Sequence, residues 1–241
     1  MYLIIVKLDL LNKHIKLKIK MSKVKTTIKN SKVKKIQKGI NKILIATTNP
    51  GKFTELKKYL EGLPFKFISL TDLKIIESPV ENGRDFLENA ILKAEFYSRL
   101  SKLPTIADDG GVMIDILNGE PGVKSKRWVG HDGTDEELMA YTLLRLINIP
   151  IEKRLACLQT VITYFNPLNG TLFSETGKIS GHIALRASSR PTNGYPYRSL
   201  FIVDKYHKYY DELTDEEHKK TNHRRIALER LIKKIKVNLI Q

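Results

Sequence analysis

Short apolar runs alternate with amphipathic segments along most of the chain, and this alternation predicts its first elements. Residues 42–48 are apolar and rich in β-branched side chains, which favours a buried strand, and the turn signal at 49–51 ends it. Residues 52–60 have apolar positions at helical spacing, and residues 65–70 return to a strand pattern. This order indicates a β-α-β unit.

Three further helices are predicted from N-terminal capping signals. In each, an Asp or Thr stands three residues ahead of a Glu, and apolar residues at helical spacing follow. The pairs are Asp85 and Glu88, Thr134 and Glu137, and Thr214 and Glu217. We expect the last helix to continue without a break to Ile235.

Strands are predicted in the remaining apolar, β-branched runs. These runs cover residues 104–111, 112–117, 154–165, 177–185 and 199–203. No internal repeat interrupts the series. Strands and helices in this order place the fold in the α/β class, with a mixed sheet.

The formal charge of the chain is +16 over 241 residues, and most of it lies at one end. Residues 1–40 hold 12 lysines against one acid, so they contribute +11 and the rest of the chain only +5. They show no clean periodicity, and we expect a solvated, poorly ordered basic arm ahead of a domain at 41–241. Two alternatives are an arm that contacts RNA, DNA or an anionic membrane, and a start of translation at Met21.

Composition narrows the class of protein further. An apolar fraction of 41% with 28% charged residues is typical of a globular protein, and no apolar run approaches the roughly 20 residues of a membrane-spanning helix. Cys157 is the only cysteine, which excludes an internal disulfide and a multi-cysteine metal site. We therefore expect a cytoplasmic protein with no membrane partner.

The segment TTNPGK at 47–52 joins the first predicted strand to the first helix. A turn at a helix N-terminus directs N–H groups and the positive end of the helix dipole outward, and Lys52 adds a full charge, so the segment favours phosphate binding. Ala46 and Phe53 stand where a Walker A loop needs Gly and Ser or Thr, which excludes that motif. The alternative is an ordinary strand-to-helix turn with a surface lysine.

Acidic residues form a second candidate site. Asp108 and Asp109 are adjacent at a predicted strand end, where one can face a cleft and the other can take structural hydrogen bonds. A cleft carboxylate can hold Mg²⁺ and orient a water for hydrolysis of a phosphate bond, and Glu81 could supply a second carboxylate. The alternatives are a turn whose acids cap their own backbone and a solvated surface glutamate.

A basic pair near the C-terminus is the last candidate. His223 and Arg224 lie in the last predicted helix. An arginine fork beside an imidazole could hold a phosphate or the edge of a base. The alternative is a basic helix surface.

The order of these segments resembles that of the Ham1-type inosine triphosphate pyrophosphatases. The matching segments are ATTNPGKFTEL, ENGRDFLENAILKA, LPTIADDGG, GEPGVKSKRW, GKISGHI and HRRIAL. They extend from about Lys42 to Leu231 and leave the basic arm outside. The resemblance implies an elongated mixed α/β fold with two lobes around a central cleft, a homodimer, and Mg²⁺-dependent hydrolysis of ITP, dITP and XTP to the monophosphate and pyrophosphate.

Roles for the site residues follow from the resemblance, position by position. Asp109 would accept a proton from the attacking water and would bind the metal together with Glu81, and Lys93 would contact a phosphate. His223 and Arg224 would line the base pocket. The triphosphate would be held by Thr47, Thr48, Asn49, Pro50, Gly51 and Lys52.

Departures from the family pattern concentrate around the base. The residues expected there are Tyr195, Pro196, Tyr197, Arg198, His218 and Lys219, and both tyrosines could stack on a purine. Pro196 replaces a glycine, and Arg198 replaces an acid, which reverses a charge. The family's lysine aligns with His218, and Lys219 or Lys220 just after it could substitute for it. Gly110 stands where the family usually has Ser or Thr, so one hydroxyl contact to substrate is missing.

Two alternative functions rest on these observations. The remodelled base pocket could belong to a family member with altered base specificity or impaired catalysis. The basic arm could instead make the chain a nucleic-acid-binding protein, but the arm's lysines have no interleaved aromatic residues beyond Tyr2, which argues against it.

Overall fold

The computed structural model describes residues 42–240, without the side chains of residues 239 and 240. The basic arm predicted at 1–40 lies outside the described residues. None of the helices within the described range combines the length and the hydropathy that crossing a bilayer requires.

Strands and helices alternate through the first half of the described chain. The strands are β1 (Lys42–Ala46), β2 (Lys66–Ser69), β3 (Thr105–Ile114), β4 (Leu155–Asn166), β5 (Thr171–Ile183), β6 (Phe201–Val203) and β7 (Lys208–Tyr209). The helices are α1 (Pro50–Leu60), α2 (Phe86–Ser101), α3 (Asp135–Arg145), α4 (Asp215–Thr221) and α5 (His223–Ile240).

The strands form one mixed sheet in the order β2-β1-β3-β4-β5-β6-β7. β1 pairs in parallel with β2 and β3, and every later pair of neighbours in this sheet is antiparallel. The predicted α/β class with a mixed sheet is confirmed. Because Ala46 lies opposite Ala107 in the β1–β3 register, the turn that follows β1 lies beside the acidic pair of β3.

Local capping chemistry starts the helices where the sequence predicts. Asp85 accepts a hydrogen bond from the Glu88 N–H ahead of α2. Both Thr residues form complete capping boxes with the Glu three positions on, Thr134 ahead of α3 and Thr214 ahead of α4. Each cap satisfies N–H groups that have no acceptor within the helix.

Four predicted boundaries are wrong. The strand expected at 177–185 begins earlier and ends at Ile183, because β5 pairs with β4 from Thr171 opposite Asn166. Residues 104–117 do not form two strands, because β3 pairs with β4 without interruption from Thr105 to Ile114, across its two glycines. The last helix is broken at Asn222, whose backbone is extended and whose side chain accepts a hydrogen bond from the Arg225 N–H at 2.9 Å. The strand expected at 199–203 is shortened, because a 3₁₀ turn covers Arg198–Leu200.

Candidate active site

The turn between β1 and α1 is organised by its own side chains. Asn49 is the N-cap of α1 and accepts a hydrogen bond from the Lys52 N–H at 3.1 Å, and Thr47 Oγ1 accepts one from the Asn49 N–H at 3.2 Å. Thr48, Pro50 and Gly51 are exposed. Two N–H groups of the turn are therefore engaged internally, and Lys52 is left as its source of positive charge.

The two acids of β3 make separate contacts. Asp108 is fully buried and accepts from Lys52 Nζ at 3.1 Å and from Arg224 Nε at 3.2 Å. Asp109 accepts from Lys93 Nζ at 2.8 Å and from Asn89 Nδ2 at 3.2 Å. Adjacent strand residues point to opposite faces, which explains the division. As predicted, one acid makes structural contacts, while Asp109 meets the helix that carries Lys93.

Lys93 lies between two carboxylates. Its Nζ is 2.8 Å from Asp109 Oδ1 and 3.1 Å from Glu81 Oε2. Burial lowers the pKa of Lys93, but Asp109 and Glu81 outweigh this effect and raise it, so the side chain is an ammonium ion. The opposite balance holds for Asp109, where burial raises the pKa and Lys93 only partly offsets the increase.

Asn89 was missed in the sequence. Its amide oxygen accepts a hydrogen bond from the Gly83 N–H at 2.8 Å, and its amide nitrogen donates to Asp109. Asn89 therefore ties the loop that carries Glu81 to the Asp109 carboxylate. Its place on the buried face of α2, one turn before Lys93, is the signal that would have identified it.

Glu55 on α1 joins four residues from distant parts of the chain, and it was also missed. Its carboxylate accepts from Arg224 Nη1 at 2.8 Å, Arg198 Nη2 at 3.0 Å, Tyr195 Oη at 3.4 Å and the Asn222 amide. The charge of Arg198, which replaces an acid of the family pattern, is therefore compensated by this carboxylate. Only the helical spacing of Glu55 from Lys52 pointed to it.

Glu55 should make the stability of the fold fall in acid. Burial raises its pKa, but Arg224 and Arg198 lower it further, to about 2. Because this pKa is lower in the folded than in the unfolded chain, the stabilisation is complete above about pH 5 and is lost as the pH falls towards 2. Urea unfolding of the wild type and Glu55→Gln should differ by roughly 3 kcal/mol above pH 5 and converge near pH 2. A difference that is independent of pH would contradict this assignment.

The residues expected around the base are divided between the core and the surface. Tyr195 packs against Gly51, since a Cβ at Gly51 would lie 3.0 Å from its ring, and the Arg198 guanidinium carbon is 3.7 Å from its ring centroid. Tyr197 instead packs in the hydrophobic core and donates to the Ser125 carbonyl, so it cannot stack on a purine. Pro196 lies between them in a turn.

The segment from His218 to Arg224 becomes more buried along its length: His218 is half-buried, Lys219 is exposed, and the last four residues are buried. The ring centroid of His218 lies 4.8 Å from that of Tyr210 in an edge-to-face contact. Lys219 pairs with Glu216. His223 is buried because α5 approaches β5 closely: a Cβ at Gly177 would lie 1.8 Å from the His223 carbonyl oxygen. Burial lowers the pKa of His223 well below its ordinary value.

The free arginine fork expected at Arg224 is not present. Its side chain is 4% exposed, and its Nε and Nη1 bind Asp108 and Glu55. Arg224 therefore cross-links β3 to α1. The sequence-based prediction rested on the residues adjacent to Arg224, whereas both of its carboxylate partners lie more than 100 positions away in the chain.

Gly110 is required by the close approach of two strands. A Cβ at this position would lie 2.4 Å from the Gln159 carbonyl oxygen and 2.8 Å from the Thr160 Cα on β4. The hydroxyl side chain that the resemblance led us to look for has no space here unless β4 moves.

The charges of this cluster balance. Its cations are Lys52, Lys93, Arg198 and Arg224, and its anions are Glu55, Glu81, Asp108 and Asp109. Each cation has a carboxylate oxygen within 3.1 Å. A polyphosphate that enters the cluster therefore competes with these carboxylates for every cation. Because the cluster has no excess positive charge, an additional cation would be needed to neutralise the phosphates.

A divalent metal fits the donor set around Lys93. Within residues 42–240 there is no group of three or more His, Cys, Asp or Glu side chains that could hold a metal ion. Mg²⁺ needs only one or two carboxylates, because water and substrate phosphates supply its other ligands. Asp109 and Glu81 form such a pair, and an ammonium ion already bridges them.

Comparison with known proteins is consistent across sequence and structure. A sequence model described as the Ham1 family matches residues 43–234. A dITP/XTP pyrophosphatase of Thermoanaerobacter pseudethanolicus is 40% identical over 79% of this chain and 94% of its own length, and one of Haemophilus influenzae is 38% identical over 80% and 98%. The HAM1 protein structure from Coxiella burnetii superimposes with a TM-score of 0.72 at 32% identity, covering 81% of this chain and 98% of that one.

Proposed function

The chain belongs to the Ham1 family, and from this membership we propose that it hydrolyses the deaminated purine nucleoside triphosphates ITP, dITP and XTP to a monophosphate and pyrophosphate. The structural observation that carries the proposal is the placement of Lys93 between Asp109 and Glu81, beside the Lys52–Asp108 pair. This arrangement joins a proton acceptor to cations that can face a polyphosphate.

Asp109 is the proton acceptor in this proposal. The oxygen of a water molecule bonds to the α-phosphorus, the bond from that phosphorus to the bridging oxygen breaks, and pyrophosphate leaves with the electron pair. The proton of the water passes to the Asp109 carboxylate. Burial raises the pKa of Asp109, which makes it a stronger base than an exposed aspartate.

The cations orient the triphosphate. Lys52 at the start of α1 and Lys93 on α2 reach the acidic pair of β3 from two different elements. Phosphate oxygens would take their place opposite both ammonium groups, and the N-terminus of α1 adds its dipole. Positioning and charge neutralisation supply most of the catalysis in phosphoryl transfer.

We propose Mg²⁺ as the cofactor, held by Asp109 and Glu81. When bound, it would neutralise phosphate charge and stabilise the leaving pyrophosphate. Asn89 would keep the Asp109 carboxylate oriented toward it through the hydrogen bond described above.

Pyrophosphate release should require Mg²⁺, and replacing Glu81 should raise the Mg²⁺ concentration that release needs. A chelator should stop release from ITP, and added Mg²⁺ should restore it. Glu81→Gln should raise the Mg²⁺ concentration for half-maximal rate by about tenfold or more, because one charged ligand is lost. Glu77→Gln, in the same loop and exposed, should leave it unchanged. Equal Mg²⁺ dependence in both variants would exclude Glu81 as a ligand.

The proposed reaction is tested by its products. Purified protein is incubated with ITP, dITP, XTP, dATP and dTTP, and pyrophosphate and orthophosphate are measured separately. We expect pyrophosphate from the first three at rates well above the last two. Orthophosphate alone, or no turnover of any nucleotide, would refute the proposal.

For assembly and location we propose a homodimer in the cytoplasm. The proposal rests on the family resemblance and on a substrate drawn from the nucleotide pool. Light scattering of the purified chain should give twice the monomer mass of 27.6 kDa. A monomer at micromolar concentration would contradict it.

A further inference from the structure

The ammonium group of Lys93 contacts both carboxylates that we assign to Mg²⁺. Its Nζ is 2.8 Å from Asp109 Oδ1 and 3.1 Å from Glu81 Oε2. The second oxygen of Asp109, Oδ2, accepts a hydrogen bond from Asn89 Nδ2 at 3.2 Å. Both oxygens of Asp109 therefore already face a donor, and the donor on Oδ1 carries a full positive charge.

Lys93 and a divalent cation cannot share these oxygens. An ammonium group has three N–H donors and no lone pair, so it cannot become a metal ligand. Mg²⁺ binds oxygen at about 2.0–2.1 Å and keeps several waters around it. An ammonium group 2.8 Å from the same Asp109 oxygen would overlap that shell, and the two positive charges would repel each other across a few ångströms.

The surroundings of Lys93 make this competition strong. The side chains of Lys93 and Asp109 are each only 12% exposed, so water screens their attraction poorly. Within residues 42–240, the ion pairs of Lys93 are those with Asp109 and Glu81. A strongly anionic ligand is therefore the kind of partner that can draw the ammonium group away from them.

We propose that Lys93 makes metal binding conditional on the substrate. Without a polyphosphate, its ammonium group holds Asp109 and Glu81. The phosphates of the nucleotide draw Lys93 away and leave both carboxylates to Mg²⁺. This inference rests on the proposed function, and it adds to the role of Lys93 as a phosphate contact a second role as the competitor of the metal.

Cooperative binding of metal and nucleotide follows from this competition. The nucleotide strengthens metal binding by removing the competitor, and by linkage the metal strengthens nucleotide binding by the same factor. The protein without nucleotide should bind divalent cations weakly. Its weak binding would come from Lys93 and not from poor ligands, so removing the charge of Lys93 should improve metal binding. A merely structural role for Lys93 predicts the opposite, because a loosened site binds metal less well.

The experiment measures Mn²⁺ binding without any nucleotide, from the loss of the electron paramagnetic resonance signal of hydrated Mn²⁺. Mn²⁺ takes the same oxygen ligands as Mg²⁺. Lys93→Gln removes the charge but keeps a side chain that can donate to Asp109. It should bind Mn²⁺ about tenfold or more tightly than the wild type, because the competing charge is gone. Equal or weaker binding by Lys93→Gln would overturn the proposal.

Three further variants locate the effect. Lys93→Arg keeps the charge and should bind Mn²⁺ as weakly as the wild type. Lys93→Gln combined with Glu81→Gln should lose the gain, because one of the two released carboxylates is missing. Arg99→Gln removes a positive charge from the same helix, where Arg99 is exposed and pairs with Glu95, and it should change nothing. Tighter Mn²⁺ binding by Arg99→Gln as well would refute a specific role for Lys93.

Folding and catalysis are tested separately from this inference. Saturating Mn²⁺ should raise the urea midpoint of Lys93→Gln more than that of the wild type, because a ligand of the folded state stabilises it. If Lys93→Gln does not fold, Lys93→Met provides a second neutral side chain for the same measurements. If no nucleotide releases pyrophosphate, the proposed function fails while the Mn²⁺ titration still decides on Lys93. If pyrophosphate is released but Lys93→Gln gains no affinity for Mn²⁺, only the inference fails.

Discussion

Asp109→Asn should lower kcat for ITP by about 10³-fold or more while the protein stays folded. Asparagine has nearly the same shape but accepts no proton, and general-base catalysis alone contributes roughly 10²- to 10⁴-fold. The change also removes a charge from the pair that would hold Mg²⁺. Lys93 keeps its contact with Glu81 at 3.1 Å, so no buried cation is left unpaired. Single-turnover release of pyrophosphate measures the effect on the chemical step.

The structure offers a nearby control for this variant. Asp115 lies just past the end of β3 and is exposed. Asp115→Asn should leave both kcat and the urea midpoint at their wild-type values. Asp109→Asn should keep the wild-type urea midpoint and lose kcat. Substantial turnover by Asp109→Asn would remove Asp109 from the reaction, and a large fall in its midpoint would reduce its role to a structural one.

Arg224→Met should lower the free energy of unfolding by about 3 kcal/mol or more, a larger loss than any exposed ion pair of the protein would cause. Removing one partner of a buried ion pair leaves uncompensated charge in the interior, which typically costs about 3–5 kcal/mol. Among the described residues, Asp108 would keep Lys52 as its one partner, and Glu55 would keep Arg198, the Tyr195 hydroxyl and the Asn222 amide. Urea unfolding at neutral pH measures the loss.

Arg225 is the matched control for that prediction. It is the next residue along α5 and pairs with the exposed Glu229, and 30% of its side chain is accessible, against 4% for Arg224. Arg225→Met should cost less than about 1 kcal/mol, because exposed pairs contribute little. Added salt should weaken the Arg225 effect and leave the Arg224 effect nearly unchanged. Equal losses of unfolding free energy in the two variants would show that the burial of Arg224 does not increase its contribution to stability.

Local signals in the sequence were sufficient for much of the fold. The Thr134 and Thr214 capping boxes depend on residues three positions apart, and both formed as predicted. The adjacent acids of β3 were also informative, because alternation along a strand separates neighbouring side chains whatever the rest of the fold does.

The remaining features depend on partners far along the chain. Glu55 on an amphipathic helix has the pattern of a solvated charge, yet its partners Tyr195 and Arg224 lie 140 and 169 positions away. Tyr195 and Tyr197 are the same residue type two positions apart, yet Tyr197 belongs to the hydrophobic core and Tyr195 does not. This difference depends on how distant residues pack, which the local sequence does not show. Asn222 did carry a local signal, since asparagine is a favoured N-cap, and it ends one helix and begins the next.

The contacts of Glu55 constrain any attempt to re-engineer the loop at 194–198. Exchanging Arg198 alone would strand an acidic side chain of α1 with one counter-ion fewer, so the damage would reach the helix that carries Lys52. A mutant library confined to the loop at 194–198 would mostly yield weakened folds, and varying position 55 as well would leave buried Arg224 with Asp108 as its counter-ion among the described residues.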